Sequence, residues 1–309
     1  MAILLKTETD PPERWTGPLL AVDPDLDIRI WPDLGHVEDI DIAMVWDLPP
    51  DAYGRLPNLK AVLSLGMGVD HLIARADIPA NVPIVRLTDS WMAASMTEYV
   101  LLHVLRFHRN HHLYEQAMGR AEWLALPTPE VTTRHVGIMG LGVLGQAAAQ
   151  ALNGLGFAVS GWSRRPKTIA GVDCFAGPDG MAPFLAQTEI LLCLLPLTSA
   201  TENILHGDLF AALPAGAAVI NAARGGLLVD DDLIAALNSG HLTGATLDAF
   251  RDEPLPADHP FWRHPGVFVT PHMAADSNPD TAARELVANV RRIRAGEAPR
   301  NVVDRTDGY

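Results

Sequence analysis

The chain has 309 residues, a formal net charge of −14, 48% hydrophobic and 19% charged residues, enough length for two domains with full cores and an ordinary composition for a globular enzyme. The acidic balance argues against nucleic acid or an anionic membrane surface as a partner through a general electrostatic footprint. Only Cys174 and Cys193 occur, with neither CxxC spacing nor a disulfide framework, which fits a reducing cytoplasm.

Charge soon interrupts the opening run Met1-Ala2-Ile3-Leu4-Leu5-Lys6, so it does not read as a signal peptide. Short apolar strands are expected at residues 3–6, 26–31, 42–46, 61–65 and 84–87. They alternate with helical or turn sequence, the sign of a parallel sheet covered by helices. Residues 97–110 read as one long apolar-faced helix connecting two domains. From His135 the alternation restarts, with strands expected at 157–162, 190–195, 217–221, 245–250 and 267–270. The apolar run 190–197 is too short to span a bilayer and reads as a buried parallel strand. Residues 279–295 carry helix start signals, with Leu286, Val290 and Ile293 spaced for one face. Two α/β domains are expected, the second inserted between the ends of the first.

The segment His135-Val136-Gly137-Ile138-Met139-Gly140-Leu141-Gly142-Val143-Leu144-Gly145 reads as a buried strand, a glycine turn and a helix start. Gly140, Gly142 and Gly145 form G-x-G-x-x-G: a tight turn, a close approach to a pyrophosphate, and close helix–strand packing. Residues 147–152 are strong helix formers, so a helix N-terminus faces the phosphates. With a second strand closing the unit, a dinucleotide is the expected ligand. An NAD-binding unit ends that strand in an acid, which bonds the ribose 2′-OH. Here the run is Gly161-Trp162-Ser163-Arg164-Arg165-Pro166-Lys167, with Ser163 in the acid's place. Serine can donate to a 2′-phosphate, Arg164 and Arg165 can pair with it, and Lys167 adds field; a solvated basic loop is the alternative. NADP(H) is the expected coenzyme.

Three later segments follow strands: Asn221-Ala222-Ala223-Arg224-Gly225-Gly226, Leu247-Asp248-Ala249-Phe250-Arg251-Asp252-Glu253-Pro254 and Val269-Thr270-Pro271-His272-Met273-Ala274-Ala275. Each puts a charged or titratable group past a strand's carboxyl end, where open α/β sheets assemble their sites. Together with the glycine motif, this combination resembles the D-isomer-specific 2-hydroxyacid dehydrogenase family over essentially the whole chain. The segments Gly161-Trp162-Ser163-Arg164-Arg165 and Phe261-Trp262-Arg263-His264-Pro265, and the ending from Asp304-Arg305 to Gly308-Tyr309, are similar to its glyoxylate/hydroxypyruvate reductase A branch.

The resemblance implies two doubly wound parallel-sheet domains. A Rossmann coenzyme domain at 99–279 is inserted into a flavodoxin-like substrate domain at 1–98 and 280–309. It implies reduction of a small 2-oxo acid to the D-2-hydroxy acid. The chemistry fits: Arg224 can grip a carboxylate bidentately and polarise the adjacent carbonyl. His272 can give the proton, and Glu253 can orient the ring and favour its charged form. Singly, these residues also suit a surface ion pair, a satisfied polar group and a turn.

Further coenzyme contacts are implied at Val143, Leu144, Leu195, Pro196, Ala222, Asp248 and Ala274. Asp248 reads as acceptor for the nicotinamide carboxamide or as a helix cap, and Leu195-Pro196 as cofactor packing or a strand end. The loop Ser64-Leu65-Gly66-Met67-Gly68-Val69-Asp70 matches the family's substrate loop. Its glycines can turn N–H groups toward an anion as a nest, or serve only a turn. Met67 stands where the branch often has a smaller residue. Trp46 reads as pocket wall or core aromatic. His111-His112 with Glu115 lacks a third strong ligand and reads as a solvated face, so no metal is expected. A homodimer is implied; residues 115–127 either carry Trp123 to a partner's pocket or bury it within their own chain. A dinucleotide-sensing corepressor-like protein and a dehydrogenase for larger D-2-hydroxy acids are the alternatives.

Overall fold

The computed structural model describes all residues except Thr9, Asp307 and Tyr309, so two residues of the C-terminal resemblance, Asp307 and Tyr309, lie outside the described residues. Two compact units emerge, residues 1–92 with 276–309, and residues 93–275. These divisions fall several residues before the expected 98/99 and 279/280, and side-chain packing explains why. Met92 belongs to the first unit's core, whereas Met96, one helical turn later, belongs to the second's. At the other boundary, the Ser277 hydroxyl already donates to Leu65 O of the first unit.

The first unit contains β1 (Ala2–Lys6), α1 (Glu13–Val22), β2 (Ile28–Ile30), β3 (Ile40–Val45), β4 (Ala61–Ser64), α2 (Asp70–Ile73) and β5 (Ile84–Val85). Its sheet is parallel throughout, in the order β2-β1-β3-β4-β5, the flavodoxin-like arrangement. Alternating side chains serve both faces. Ile3, Leu5, Ile42, Met44 and Leu63 share one core with Leu286 and Val290, while Leu4, Ala43, Val45 and Val62 share another with Tyr53 and Leu72. Burial on both faces explains why these strands read as continuous apolar runs.

The helix α3 (Ser90–His108) begins before the expected position 97. Asp89 Oδ1 accepts from Met92 N at its start, and the Thr97 hydroxyl donates to Ala93 O in mid-helix instead of capping. The second unit continues with α4 (His111–Gly119), β6 (His135–Met139), α5 (Val143–Gly154), β7 (Ala158–Ser163), β8 (Asp173–Ala176) and α6 (Gly177–Ala186). Then come β9 (Ile190–Cys193), α7 (Gly207–Ala211), β10 (Ala217–Asn221), α8 (Asp230–Asn238), β11 (Leu242–Leu247) and β12 (Val267–Val269). The C-terminal α9 (Pro279–Arg294) belongs to the first unit.

The seven-stranded parallel sheet runs β12-β11-β10-β9-β6-β7-β8. The chain winds one way from β6 to β8 and the other way from β9, so the switch point lies between β6 and β9, a Rossmann sheet extended by β12. Its faces are packed by Met139, Leu191, Val219 and Leu247 on one side, and by Ile138, Leu192 and Ile220 with Val100 and Val104 of α3 on the other. Among the described residues, no helix is long and apolar enough to cross a membrane.

Two expectations need correction. His112 does not lie on a solvated face: it is buried, and its Nε2 lies 3.1 Å from Thr243 Oγ1, leaving only His111 exposed. Trp123 is not buried within its chain, being 97% exposed.

Candidate active site

All residues of the second unit's candidate site follow carboxyl ends of its parallel strands. After β6, Gly140 adopts φ +103°, and an added Cβ would lie 2.7 Å from Leu194 O, which follows β9 across the switch point. A Cβ at Gly145 would meet Gly140 O at 1.9 Å, so only glycine lets α5 pack this close. Gly142 is different: beyond its own atoms and its chain neighbours, nothing lies within 4 Å of its Cβ position. Val143 is exposed and Leu144 half-buried in the first turn of α5, while Leu195, Ala222 and Ala274 are buried and Pro196 is half-buried.

At the end of β7, Ser163 is buried and its hydroxyl donates to Arg165 O at 2.8 Å. The expected free donor is thus engaged in closing its own loop. Arg164, Arg165 and Lys167 are exposed, and Lys167 Nζ donates to Leu141 O, tying the basic loop to the glycine loop.

After β10, the buried Asn221 shapes the Arg224 turn, donating from Nδ2 to Arg224 O (3.0 Å) and accepting Ala223 N–H at Oδ1 (3.2 Å). Its signal in the sequence is a polar residue ending an otherwise apolar strand. After β11, Asp248 departs from the expected strand 245–250. Its buried carboxylate accepts from the Thr270 hydroxyl (2.7 Å), Met273 N (2.9 Å) and Ala274 N (2.9 Å). The helix-cap alternative is therefore overturned, because Asp248 caps the loop bearing His272. Three donors leave room for one more at a carboxylate. Tyr99 of α3 extends the network, with its hydroxyl 2.7 Å from Thr270 Oγ1.

That loop holds His272 at φ +53°, a left-handed conformation that costs a non-glycine residue energy and persists where its surroundings fix it. His272 Nδ1 lies 2.7 Å from Glu253 Oε2, and Phe250 N–H donates to Glu253 Oε1 at 2.8 Å. Burial pushes the Glu253 carboxyl up, but the His272 and Phe250 hydrogen bonds and the charge of Arg224 hold it, on balance, below its ordinary value. Arg224 Nη1 donates to Ala223 O at 2.9 Å and lies 3.4 Å from His272 Nε2. A guanidinium has no acceptor, so this contact needs an unprotonated Nε2 and places the ring proton on Nδ1, toward Glu253. The outcome is an imidazole oriented by a carboxylate, with its second nitrogen beside a guanidinium.

The first unit holds the loop after β4. A Cβ at Gly66 would strike Trp46 Cζ3 at 2.6 Å, so this glycine admits the indole. Trp46 is half-buried, stacks on His71 with ring centroids 4.3 Å apart, and its carbonyl lies 2.7 Å from His71 Nε2. It is a loop-supporting ring and not a fully buried core aromatic. The expected nest does not form, since neither Gly66 nor Gly68 adopts the positive φ such a turn requires. Gly66 N–H is also engaged, donating to Ser64 Oγ at 3.1 Å.

Comparison with known proteins gives a consistent picture. Residues 101–274 match the family model for the D-isomer specific 2-hydroxyacid dehydrogenase NAD binding domain. A glyoxylate/hydroxypyruvate reductase A from Serratia proteamaculans is 43% identical over 302 residues, covering 96% of each chain. A D-isomer specific 2-hydroxyacid dehydrogenase from Xanthobacter autotrophicus Py2, solved with NADPH and MES, is 43% identical with TM-score 0.96, covering 100% of this chain and 99% of that one. An NADPH-dependent glyoxylate/hydroxypyruvate reductase from Sinorhizobium meliloti, solved with NADP and sulfate, is 38% identical with TM-score 0.93 and the same coverage.

Proposed function

The chain belongs to the D-isomer-specific 2-hydroxyacid dehydrogenase family, and from that premise we propose that it reduces a small 2-oxo acid of the glyoxylate or hydroxypyruvate type with NADPH. The observation that carries this reading is the His272–Glu253 pair at 2.7 Å with Arg224 beside its outer nitrogen. The second unit takes the coenzyme.

The residues present fit the coenzyme. Glycine at 142 serves no packing need, so close approach of a diphosphate explains it, while Gly140 and Gly145 shape the turn beneath. Val143 and Leu144 offer first-turn N–H groups to the phosphates. Arg164 and Arg165 would hold the ribose phosphate beside Ser163, Lys167 would brace the glycine loop through Leu141 O, and Leu195, Pro196, Ala222, Asp248 and Ala274 would take the nicotinamide end. When bound, the reduced nicotinamide supplies the hydride.

Arg224 binds the acid's carboxylate and polarises the neighbouring carbonyl through charge-assisted hydrogen bonds. His272 Nε2 carries the proton delivered to the carbonyl oxygen. Glu253 holds the ring by Nδ1 and stabilises its cationic form before transfer. In the first unit, Leu65, Gly66, Met67 and Gly68 form the loop that resembles the family's substrate loop, with Trp46 packed against it as a bulky ring.

The test is consumption of NADPH absorbance with a panel of oxo acids. Bulky Trp46 and Met67 lead us to expect higher kcat/KM for glyoxylate or hydroxypyruvate than for phenylpyruvate. The reverse preference would assign the chain to larger D-2-hydroxy acids. Coenzyme binding without turnover of any acid would favour a dinucleotide-sensing role.

A homodimer in a reducing cytoplasm completes the proposal. Its support is the exposure of Leu102, Met118 and Trp123 on and after α3 and α4, large apolar side chains open to solvent. Both cysteines are free, and burial pushes the Cys193 thiol up to about 12. Trp123 then reaches toward the partner. Light scattering at assay concentration should report twice the chain mass; a monomer there removes the cross-subunit role of Trp123.

A further inference from the structure

Arg224 and Glu253 arrive on separate turns, after β10 and β11, yet their backbones press together. A Cβ at Gly225 would lie 1.9 Å from Phe250 C and 2.3 Å from Arg251 N. The same Phe250 gives its N–H to Glu253 Oε1. One side chain spans the junction. Arg251 Nε donates to Leu228 O at 3.2 Å, and its Nη2 reaches Leu228 O, Asn203 Oδ1 and, at 3.5 Å, Gly226 O. Asn203 N–H also donates to Gly226 O at 3.0 Å, and Val229 N–H to Leu205 O at 3.0 Å, so the far edge of this segment is pinned as well.

We propose that Arg251 is a positioning residue that clamps the turn carrying Arg224 onto the turn carrying Glu253, fixing the spacing between carboxylate anchor and imidazole. Resting on the reductase reading above, the clamp acts through backbone carbonyls. A planar guanidinium fork suits such acceptors, whereas the single ammonium of lysine does not reproduce them. Arg251 touches neither reacting atoms nor the glycine loop among its hydrogen-bond partners, so its effect falls on the chemical step and spares coenzyme binding.

The experiment compares Arg251→Ala and Arg251→Lys with the parent protein. For Arg251→Ala we expect kcat/KM for glyoxylate to fall roughly 10- to 100-fold, the scale of a small misplacement of reacting groups. NADPH affinity, read by fluorescence, should stay at the parental level. Amide hydrogen exchange should accelerate at residues 225–229, where Leu228 N–H donates to Gly225 O, and not across the rest of the unit. Arg251→Lys should recover only part of the loss. Free guanidinium should restore Arg251→Ala, because the side chain lies in an open pocket of about 540 Å³ shared with Asn203, Asp230 and His259. His272→Ala should not respond to it. Parental kcat/KM in Arg251→Ala overturns the clamp, as does a parallel loss of NADPH affinity or exchange that rises everywhere. If the parent reduces no oxo acid, the reductase reading fails, while local exchange at 225–229 still decides whether Arg251 holds that turn.

Discussion

Replacing His272 by alanine should lower kcat for 2-oxo acid reduction by ~10²–10⁴, the usual contribution of a positioned general acid, and leave NADPH binding intact. Arg224→Ala should cost a further class of interaction, the charge-assisted grip on carboxylate and carbonyl, with a fall of ~10²–10³ and a raised KM for the acid. The two losses should not add, because both residues act on one developing charge and lie 3.4 Å apart. Reduction takes up a proton, so its rate should fall as pH rises. On the acid side Glu253 decides. Its folded value is depressed, so its charged partnership with His272 is complete above the unfolded value of ~4.3 and is lost only as pH falls through the lower folded one. Glu253→Gln should abolish that acid limb while keeping an acceptor for Phe250 N–H. Steady-state rates over a pH series with tryptophan fluorescence for coenzyme binding test the set. Near-parental turnover in His272→Ala would end the assignment.

What the sequence makes legible is what single residues at fixed spacing enforce. Gly145 is required by a 1.9 Å approach to Gly140 O, and the order of Arg224, Glu253 and His272 along successive strand ends survives as spacing. The strands with two buried faces are equally plain as apolar runs. β8 is not, because Asp173–Ala176 is a four-residue edge strand with no buried residue. The start of α3 carries a capping signal at Asp89 that the apolar pattern alone overlooks. The substrate loop misleads for a different reason: its glycine at 66 answers the bulk of Trp46, twenty positions earlier, and not a backbone handedness. Arg251 is invisible for the same reason, since its partners are carbonyls brought together only by the sheet. Side-chain chemistry is written locally; the backbone groups it answers are placed by topology.

Coenzyme choice should depend on the loop after β7. A carboxylate there would repel a 2′-phosphate; Ser163 does not, and Arg164 and Arg165 stand exposed beside it. Each charge-assisted hydrogen bond contributes ~1.5–3 kcal/mol, so two arginines support a preference for NADPH over NADH on the order of 100-fold or more. Because solvent and salt screen such exposed groups, the preference should shrink as ionic strength rises. The double variant Arg164→Ala/Arg165→Ala should raise the KM for NADPH steeply and change that for NADH little, since the second coenzyme offers no phosphate to grip. Lys167 should behave differently. Its ammonium is tied to Leu141 O in the glycine loop, which both coenzymes use. Lys167→Ala should therefore weaken NADPH and NADH together, reducing affinity without reversing choice. Initial rates with each coenzyme at saturating oxo acid measure all three effects. Equal kcat/KM for NADPH and NADH in the unmodified protein would sink the proposal, because no other residue at the end of β7 distinguishes the two ribose groups.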